Sequence, residues 1–278
     1  MKWSIVTDSS CDYPAGPSLG ADIHFARVPF IIRIGERDYL DDETIRVPDM
    51  LNDMESCAEA GSTACPSPGA WQELFEQADQ TIAITISAGV SGSYDSAEAA
   101  RRMVLEKHPD KKIWVLNSRS AGSALSLYVE KAVQLIEQGL DFDGVVAGLE
   151  AYAAERHTVF ALASFTNLIK NGRVSRLSGF IAGKLGIWGI GVASEEGTIV
   201  VKTKTRGIPR VIDCLLGDMK EHHFQGGEVI ISHCQNLELA VMVRERILEL
   251  WDNARVQILA TGGLCSFYAE RRGLILAY

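Results

Sequence analysis

The sequence predicts a mixed α/β protein made of two α/β domains, the N-terminal one with a mainly parallel sheet and the C-terminal one with a more antiparallel sheet. In the first half, short β-branched runs alternate with helical stretches of ten or more residues, which is typical of parallel βαβ units. In the second half, two strand-like runs flank the acidic, glycine-containing connection Ser194–Gly197, which is typical of an antiparallel hairpin. We therefore expect domains covering residues 1–158 and 159–278.

The N-terminal domain is predicted from apolar runs bounded by polar residues and from helical spacing of apolar side chains. The predicted strands are Trp3–Thr7, Arg27–Ile34, Thr81–Ile86 and Lys111–Leu116. The predicted helices are Gly69–Ala78, Tyr94–Glu106, Ser118–Gln138 and Asp143–Glu155. Gly139 is expected to end the third helix, because glycine readily adopts the left-handed conformation found after helix C-termini.

The C-terminal domain is predicted in the same way. Its strands are Thr158–Leu162, Gly186–Val192, Thr198–Thr205, Glu228–Ser232, Arg255–Ala260 and Leu274–Tyr278. Its helices are Leu177–Leu185, Pro209–His223 and Glu238–Trp251. In the last of these helices the apolar residues recur at helical spacing, which predicts a stripe that faces the core.

Composition excludes several classes of function. The 278 residues are 47% apolar and 23% charged, with a formal net charge of −9. This charge disfavours a nucleic-acid partner or an anionic membrane surface, both of which attract basic proteins. No uninterrupted apolar run reaches the roughly 18 residues of a spanning helix, so we expect no integral membrane segment. The N-terminus turns polar after six residues, which predicts no signal peptide and a cytoplasmic protein.

The six cysteines form no CxxC pair, and without a secretion signal they are expected to be free thiols. A zinc site from Cys65, Cys234, Cys265 and His233 has no support from their spacing. We therefore expect no metal ion and no other cofactor.

The segment Ser87–Ser93 carries the clearest chemical signal. It is rich in glycine and serine and connects a predicted strand to a helix, so it presents backbone N–H groups at the positive end of the helix dipole. Gly89 and Gly92 allow close approach of a ligand, while the hydroxyls of Ser91 and Ser93 add donors. This pattern predicts a site for a phosphate or a carboxylate. The alternative is that Ser93 only caps the helix and the glycines only form the turn.

The more specific motifs of nucleotide binding and serine hydrolysis are absent from the sequence. The segment Gly179–Leu185 lacks the spacing and the Ser or Thr of a P-loop. The segment Gly89–Ser93 lacks the final glycine of a nucleophile elbow. The segment Gly186–Gly191 has its glycines in the wrong order for a dinucleotide fingerprint and opens a strand.

Three further segments are candidates for binding. Ser62–Pro68 combines small hydroxylated residues with prolines before a helix, and its alternative interpretation is a helix start. Lys170–Arg176 and Lys202–Arg206 are basic in an acidic protein, and their alternative interpretation is solvated surface.

Taken in order, these segments resemble the DegV family, the fatty-acid-binding subunits (FakB type) of bacterial fatty acid kinase. The resemblance spans nearly the whole chain. The matching segments are Ile5–Ser10, Thr63–Pro68, Ser87–Ala97, Leu168–Ser175 and Lys204–Arg206.

The resemblance implies that a long-chain fatty acid lies in a buried apolar tunnel between the two domains. It implies that Thr63, Ser91, Gly92 and Ser93 bind the carboxylate. A separate kinase subunit would form the acyl phosphate, so this chain is expected to be a lipid carrier rather than an enzyme. Arg173 and Arg206 fall on motif positions that serve partner docking and phosphotransfer. The expected tunnel walls are Phe160, Phe165, Leu168, Phe180, Ile187 and Ile190, for each of which an ordinary core position is the alternative.

The sequence departs from the family pattern in two places. Members often carry a histidine–threonine–glycine–proline–glycine run before the last strand, and here Tyr268 stands in the place of that histidine. The serine and glutamine that usually follow the threonine are also missing after Thr63. Lipid binding can survive both changes. Two other functions are kept as alternatives: an enzyme with Ser91 or Ser93 as nucleophile, and a regulator that binds an anion other than a lipid.

Overall fold

The computed structural model of the chain describes residues 2–14, 18–20, 22–174 and 186–278. The strands are β1 (Trp3–Asp8), β2 (Ser18–Gly20), β3 (Ile23–Val28), β4 (Ile31–Ile34), β5 (Arg37–Leu40), β6 (Ser62–Ala64), β7 (Gln80–Thr85), β8 (Lys112–Asn117), β9 (Thr158–Leu162), β10 (Ile187–Ala193), β11 (Ile199–Arg206), β12 (Gly227–His233), β13 (Ala254–Ala260) and β14 (Leu274–Ala277). The helices are α1 (Val47–Ser56), α2 (Pro68–Phe75), α3 (Ser93–Lys107), α4 (Ser123–Glu137), α5 (Phe142–Ala154), α6 (Thr166–Lys170), α7 (Ile208–Glu221), α8 (Leu237–Leu250) and α9 (Gly263–Ala269). The predicted helix Leu177–Leu185 lies outside the described residues.

The N-terminal sheet has five strands in the order β2-β3-β1-β7-β8. Strands β3, β1, β7 and β8 pair in parallel, and β2 is antiparallel to β3. Strands β1 and β7 are buried along their whole length, because helices cover both faces of the sheet. Helices α4 and α5 pack on one face and α2 and α3 on the other. The prediction of a mainly parallel N-terminal sheet is confirmed.

The C-terminal sheet has six strands in the order β11-β10-β9-β14-β12-β13. Strands β12 and β13 are parallel, and the other neighbouring pairs are antiparallel, as predicted. Helices α7 and α8 cover one face. On the opposite face α4 packs against Ile230 of β12 and Ala277 of β14, so this helix lies between the two sheets. The strands of the first sheet lie within residues 3–117 and those of the second within 158–277, while the domain boundary itself stays a prediction.

A small third sheet, β5-β4-β6, was not expected. The sequence predicts one strand over Arg27–Ile34, and the structure divides it at Pro29 into β3 and β4. Proline has no N–H for a sheet ladder, which favours a break there. The following Phe30 N–H donates to the Ser9 hydroxyl at 3.0 Å, so the chain turns away from the first sheet.

Helix α4 begins later than predicted, at Ser123 instead of Ser118. The residues before it form a loop in which Arg119 and Gly122 have positive φ angles, of 51° and 64°. In the described part of the chain, every helix is too short or too polar to cross a membrane.

Candidate functional site

An apolar cavity lies between the N-terminal and C-terminal sheets. Its walls come from the loops after β7 and β8, from one face of the C-terminal sheet, and from α6 and α9. The lining residues are Phe30, Thr63, Ile86, Ser87, Val90, Ser91, Arg119, Ser120, Ala121, Thr158, Phe160, Leu162, Leu168, Arg173, Ala193, Gly197, Thr198, Ile199, Leu264, Cys265, Tyr268, Ala269 and Ile275. Most of these side chains are apolar, and two groups among the polar ones are described below.

Strand alternation decides which side chains reach the cavity, because successive residues of a strand point to opposite faces. On β9, Phe160 and Leu162 face the cavity, whereas Val159 and Ala161 pack under α7 and α8. On β14, Ile275 lines the cavity. A single face of the C-terminal sheet therefore supplies the cavity wall.

One group of polar residues closes the cavity where β6, α9 and the segment after α6 meet. The Thr63 Oγ1 and the Tyr268 hydroxyl oxygen are 2.8 Å apart. The Arg173 guanidinium lies 5.7 Å from the centre of the Tyr268 ring. Its Nε donates to the Val90 carbonyl at 3.3 Å, and another of its nitrogens donates to the Asn171 carbonyl at 2.7 Å. With Ser91, these side chains form a half-buried polar end, which we call the head-group end.

The predicted anion loop lies at this end of the cavity. The Ser87 carbonyl accepts hydrogen bonds from the N–H groups of Val90 and Ser91, both at 3.2 Å. The Ser87 hydroxyl donates to the Gly197 carbonyl at 2.6 Å and accepts from the Gly89 N–H at 3.0 Å. The bond to Gly197 fastens the loop to the β10–β11 hairpin, and the other bonds hold the loop's own turn. They hold Ser91 on the cavity wall.

Ser93 and Gly92 stand apart from the cavity. Ser93 is fully buried, and its hydroxyl donates to Asp8 Oδ2 at 2.7 Å. Asp8 also accepts from Ser10 and from the Ile86 N–H, and burial raises the pKa of its carboxyl despite these bonds. The Ser93 N–H donates to the Ser91 hydroxyl at 3.3 Å. Gly92 is exposed at the start of α3, so Thr63 and Ser91 reach the cavity whereas Gly92 and Ser93 do not.

The predicted wall residues divide in the same way. Phe160 and Leu168 line the cavity. Phe165 is fully buried behind the wall and packs so closely on Gly189 that a side chain there would overlap its ring. Ile190 belongs to the core under α7 and α8, and Ile187 is half-buried at the start of β10. The predicted wall residue Phe180 lies outside the described residues.

Sequence analysis missed most of the wall, including Phe30, Ile86, Leu264 and Ile275. The sequence of β10 contains one pattern that indicates this wall. In Ile187–Ala193 the large residues alternate with Gly189, Gly191 and Ala193, so one face of the strand is bulky and the other nearly bare. A bare strand face inside a protein indicates close packing or a cavity.

Helix α9 carries Tyr268 and begins on two buried carboxylates. The two oxygens of Asp41 accept from the N–H groups of Gly263 and Leu264, both at 2.8 Å. Asp12 Oδ1 accepts from the Gly262 N–H at 2.8 Å. Negative charge at a helix N-terminus is favourable, which fixes the start of α9. Burial still raises the pKa of both carboxyls, that of Asp12 to about 6.

The remaining predicted partner residue, Arg206, lies elsewhere, and so does a pair of histidines. Arg206 ends β11, where it is exposed and does not line the cavity. His157 and His222 stack at 3.9 Å beside Tyr278, away from the cavity wall. Across the described ranges, no group of three or more His, Cys, Asp or Glu side chains is placed to hold a metal ion. The geometry suits a ligand with a long apolar body and one polar or anionic end.

Comparisons with known proteins match the whole length of the chain. The family model described as "Uncharacterised protein, DegV family" matches residues 2–276. A DegV domain-containing protein of Streptococcus pneumoniae (strain ATCC BAA-255 / R6) is 39% identical over 278 residues, covering 100% of this chain and 99% of that protein.

Solved structures show the same fold. The S. pneumoniae Fatty Acid Kinase (Fak) B3 protein loaded with linoleic acid matches with a TM-score of 0.97 at 39% identity, covering 100% of this chain and 99% of that one. A DegV family protein from Eubacterium eligens loaded with heptadecanoic acid matches with a TM-score of 0.94 at 35% identity, covering 99% of this chain and 98% of that one. The chain therefore belongs to the DegV family.

Proposed function

We propose that this protein binds a long-chain fatty acid in the cavity and presents its carboxylate to a separate kinase subunit, which forms the acyl phosphate. The observation that carries the proposal is the apolar cavity with hydroxyls and a guanidinium at one end. The two similar structures loaded with linoleic acid and heptadecanoic acid support it. The mainly apolar wall disfavours the alternative of a non-lipid anion.

The tail supplies most of the binding free energy. About 14 buried CH₂ groups at ~0.8 kcal/mol each give roughly 11 kcal/mol before the entropic cost of binding. Such a tail cannot hold a carboxylate in place, and a carboxylate buried without donors would cost several kcal/mol. The head-group end must therefore supply hydrogen bonds.

We assign Thr63, Tyr268, Ser91 and Arg173 to the carboxylate. Thr63 and Tyr268 share one hydrogen bond, so one of their two O–H protons stays free to donate to the ligand. The Ser91 hydroxyl accepts from the Ser93 N–H, which leaves its own proton free in the same way. Ser93 therefore acts indirectly, by orienting Ser91.

The nucleophile alternative has less support. Ser93 does have a carboxylate within hydrogen-bond reach, but both groups are fully buried and neither lines the cavity. We therefore propose a carrier, with phosphoryl transfer on the partner subunit. Arg206 is exposed and is proposed to contact that partner.

Lipid extraction tests the first part of the proposal. We expect mass spectrometry of the freshly purified, denatured protein to detect one equivalent of fatty acid, and the delipidated protein to bind oleate again. A protein that carries no lipid and does not take up oleate would contradict the proposal.

Reconstitution with a fatty acid kinase catalytic subunit and ATP tests the second part. We expect acyl phosphate to form only when this chain is present. Arg206→Ala should slow its formation several-fold while oleate affinity is unchanged. Arg210→Ala, an exposed arginine on α7, is the matched control. Equal rates for both variants would remove Arg206 from the partner surface.

A further inference from the structure

A second pair of hydroxyls lines the same cavity, separate from the four head-group side chains. Ser120, in the loop after β8, and Thr158, the first residue of β9, bring their hydroxyl oxygens within 2.7 Å of each other. Both residues line the cavity and are more than nine-tenths buried. Apolar side chains such as Phe160, Ala121 and Ile275 line the same cavity. Arg119, Ser87 and Thr198 line the cavity as well. An unsubstituted acyl chain makes no hydrogen bond to the Ser120 and Thr158 hydroxyls.

Among the described residues, one of the two O–H groups of this pair has no hydrogen-bond acceptor. Each hydroxyl is one donor and can accept two bonds, so a single bond between two hydroxyls leaves one O–H without an acceptor. Within the residues that the structure describes, neither oxygen makes another hydrogen bond. Against a plain hydrocarbon tail that proton would stay unpaired, which is unfavourable in a buried site.

The Ser120 hydroxyl is held in place by its backbone. The Ser120 N–H donates to the Ser118 hydroxyl at 3.1 Å, and the Ser120 carbonyl accepts from the Ser118 hydroxyl at 3.0 Å and from the Ser87 N–H at 2.9 Å. The preceding residue, Arg119, has a φ of 51°, a conformation that side-chain-bearing residues adopt at a cost. The loop thus adopts a strained backbone that points a fixed hydroxyl into the cavity. Strain of this kind often occurs at ligand sites.

We propose that the preferred ligand is a hydroxy fatty acid, whose chain hydroxyl bonds to the Ser120–Thr158 pair. This inference rests on the proposed function, because it assigns the tail of the ligand that the head-group end anchors. A ligand hydroxyl accepts a hydrogen bond from whichever O–H of Ser120 or Thr158 has no acceptor, and it donates its own O–H to a free lone pair on one of these two oxygens. All three hydroxyls are then hydrogen-bonded. A cis double bond is a poorer partner for this pair than a hydroxyl, because its π electrons accept a hydrogen bond only weakly and it has no proton to donate.

Direct binding measurements test the proposal. Delipidated protein is titrated with octadecanoic acid and with octadecanoic acids that carry one hydroxyl at carbon 3, 7, 9, 10 or 12. We expect at least one of these hydroxy acids to bind about tenfold more tightly than octadecanoic acid, because a site with buried polar groups discriminates against a ligand that leaves them unpaired.

The variant Ser120→Ala with Thr158→Val removes both hydroxyls of the pair at nearly constant volume. We expect it to lose the preference for the hydroxy acid and to bind octadecanoic acid at least as tightly as the unchanged protein. Thr203→Val is the matched control, since Thr203 is an exposed strand threonine outside the cavity lining. Thr203→Val should keep the preference.

The outcomes separate this inference from the function on which it rests. If octadecanoic acid binds and no hydroxy acid binds better, or if the preference survives in the double variant, the inference is wrong and the lipid-carrier proposal stands. If neither octadecanoic acid nor any hydroxy acid binds, both are wrong.

Discussion

The hydroxyls of Thr63 and Tyr268 lie 205 positions apart in the chain and 2.8 Å apart in the fold. We expect Tyr268→Phe to weaken fatty-acid binding by about 1–3 kcal/mol, because a donor to a buried anion is lost while the ring and its contact with Arg173 remain. Displacement of a fluorescent fatty acid measures the effect. Tyr94→Phe, on α3 and outside the cavity lining, should change nothing. Unchanged affinity in Thr63→Val with Tyr268→Phe would place the carboxylate elsewhere.

Asp12 gives the folded protein a measurable pH dependence. Burial raises its pKa to about 6, and its Oδ2 has no hydrogen-bond partner within the described residues. Because the folded state holds this proton more tightly than the unfolded state, the contribution of Asp12 to stability falls as the pH rises from about 4 to about 6.

Asp12→Asn keeps the acceptor for the Gly262 N–H and removes the charge. At pH 7.5 we expect it to raise the free energy of unfolding by up to about 3 kcal/mol, at about 1.4 kcal/mol for each pKa unit, and at pH 4 to change it little. Urea unfolding from pH 4 to pH 8 measures this, with the exposed Asp252→Asn as control. A constant difference between Asp12→Asn and the unchanged protein across that range would contradict the ionisation argument.

Strand β10 shows how an element divides the molecule into packed core and cavity. Trp188 and Ile190 point into the core under α7 and α8. On the other face Gly189 and Gly191 leave room for the rings of Phe165 and Phe160, which pack against their Cα atoms. The packing on this side therefore depends on glycine in β10 and on phenylalanine in β9 and just before α6.

Gly191→Ala is expected to lower the free energy of unfolding by about 1–3 kcal/mol, which is typical of overpacking. A Cβ at this position would lie 2.4 Å from the Phe160 ring and 2.5 Å from the Val200 carbonyl oxygen. Urea unfolding measures the loss. Gly217→Ala is the matched control, because nothing lies within 4 Å of its Cβ and alanine favours a helix, so it should stabilise the protein slightly. Equal stability of Gly191→Ala and the unchanged protein would show that both the Phe160 ring and the Val200 carbonyl can move aside freely.

Long periodic elements could be predicted from the sequence, and short or non-local features could not. Strands such as β7 and helices such as α3 have several residues that repeat one pattern, and their bounds are right within two residues. The three-residue β6 and the seven-residue α9 carry too few residues for a period, yet they hold Thr63 and Tyr268. The serine loop predicted an anion site, but which of its hydroxyls would reach the cavity depended on Asp8, whose position beside Ser93 comes from strand pairing.

The cavity is a product of the whole molecule, because the loops after β7 and β8, the C-terminal sheet, the third sheet and α9 contribute to its wall. Hydrogen bonds also cross it: the Ser87 hydroxyl joins the N-terminal loop to Gly197, and Ser120 joins Thr158. A ligand that fills this space contacts both halves of the chain at once. Binding should therefore stabilise the two halves together.

We expect oleate to raise the melting temperature of the delipidated protein by roughly 5–10 °C at a free concentration 100 times its dissociation constant, where linkage supplies about 2.7 kcal/mol. Scanning calorimetry should show a single transition, and hydrogen exchange should slow in β9, β14 and α9 more than in α8, which packs on the far face of its sheet. Oleate methyl ester, which lacks the charge, is the control and should stabilise less, because the head-group end then loses its anion. An equal shift with acid and ester would mean that the tail alone is recognised. Slower exchange confined to one domain would mean that the ligand does not bridge the two sheets.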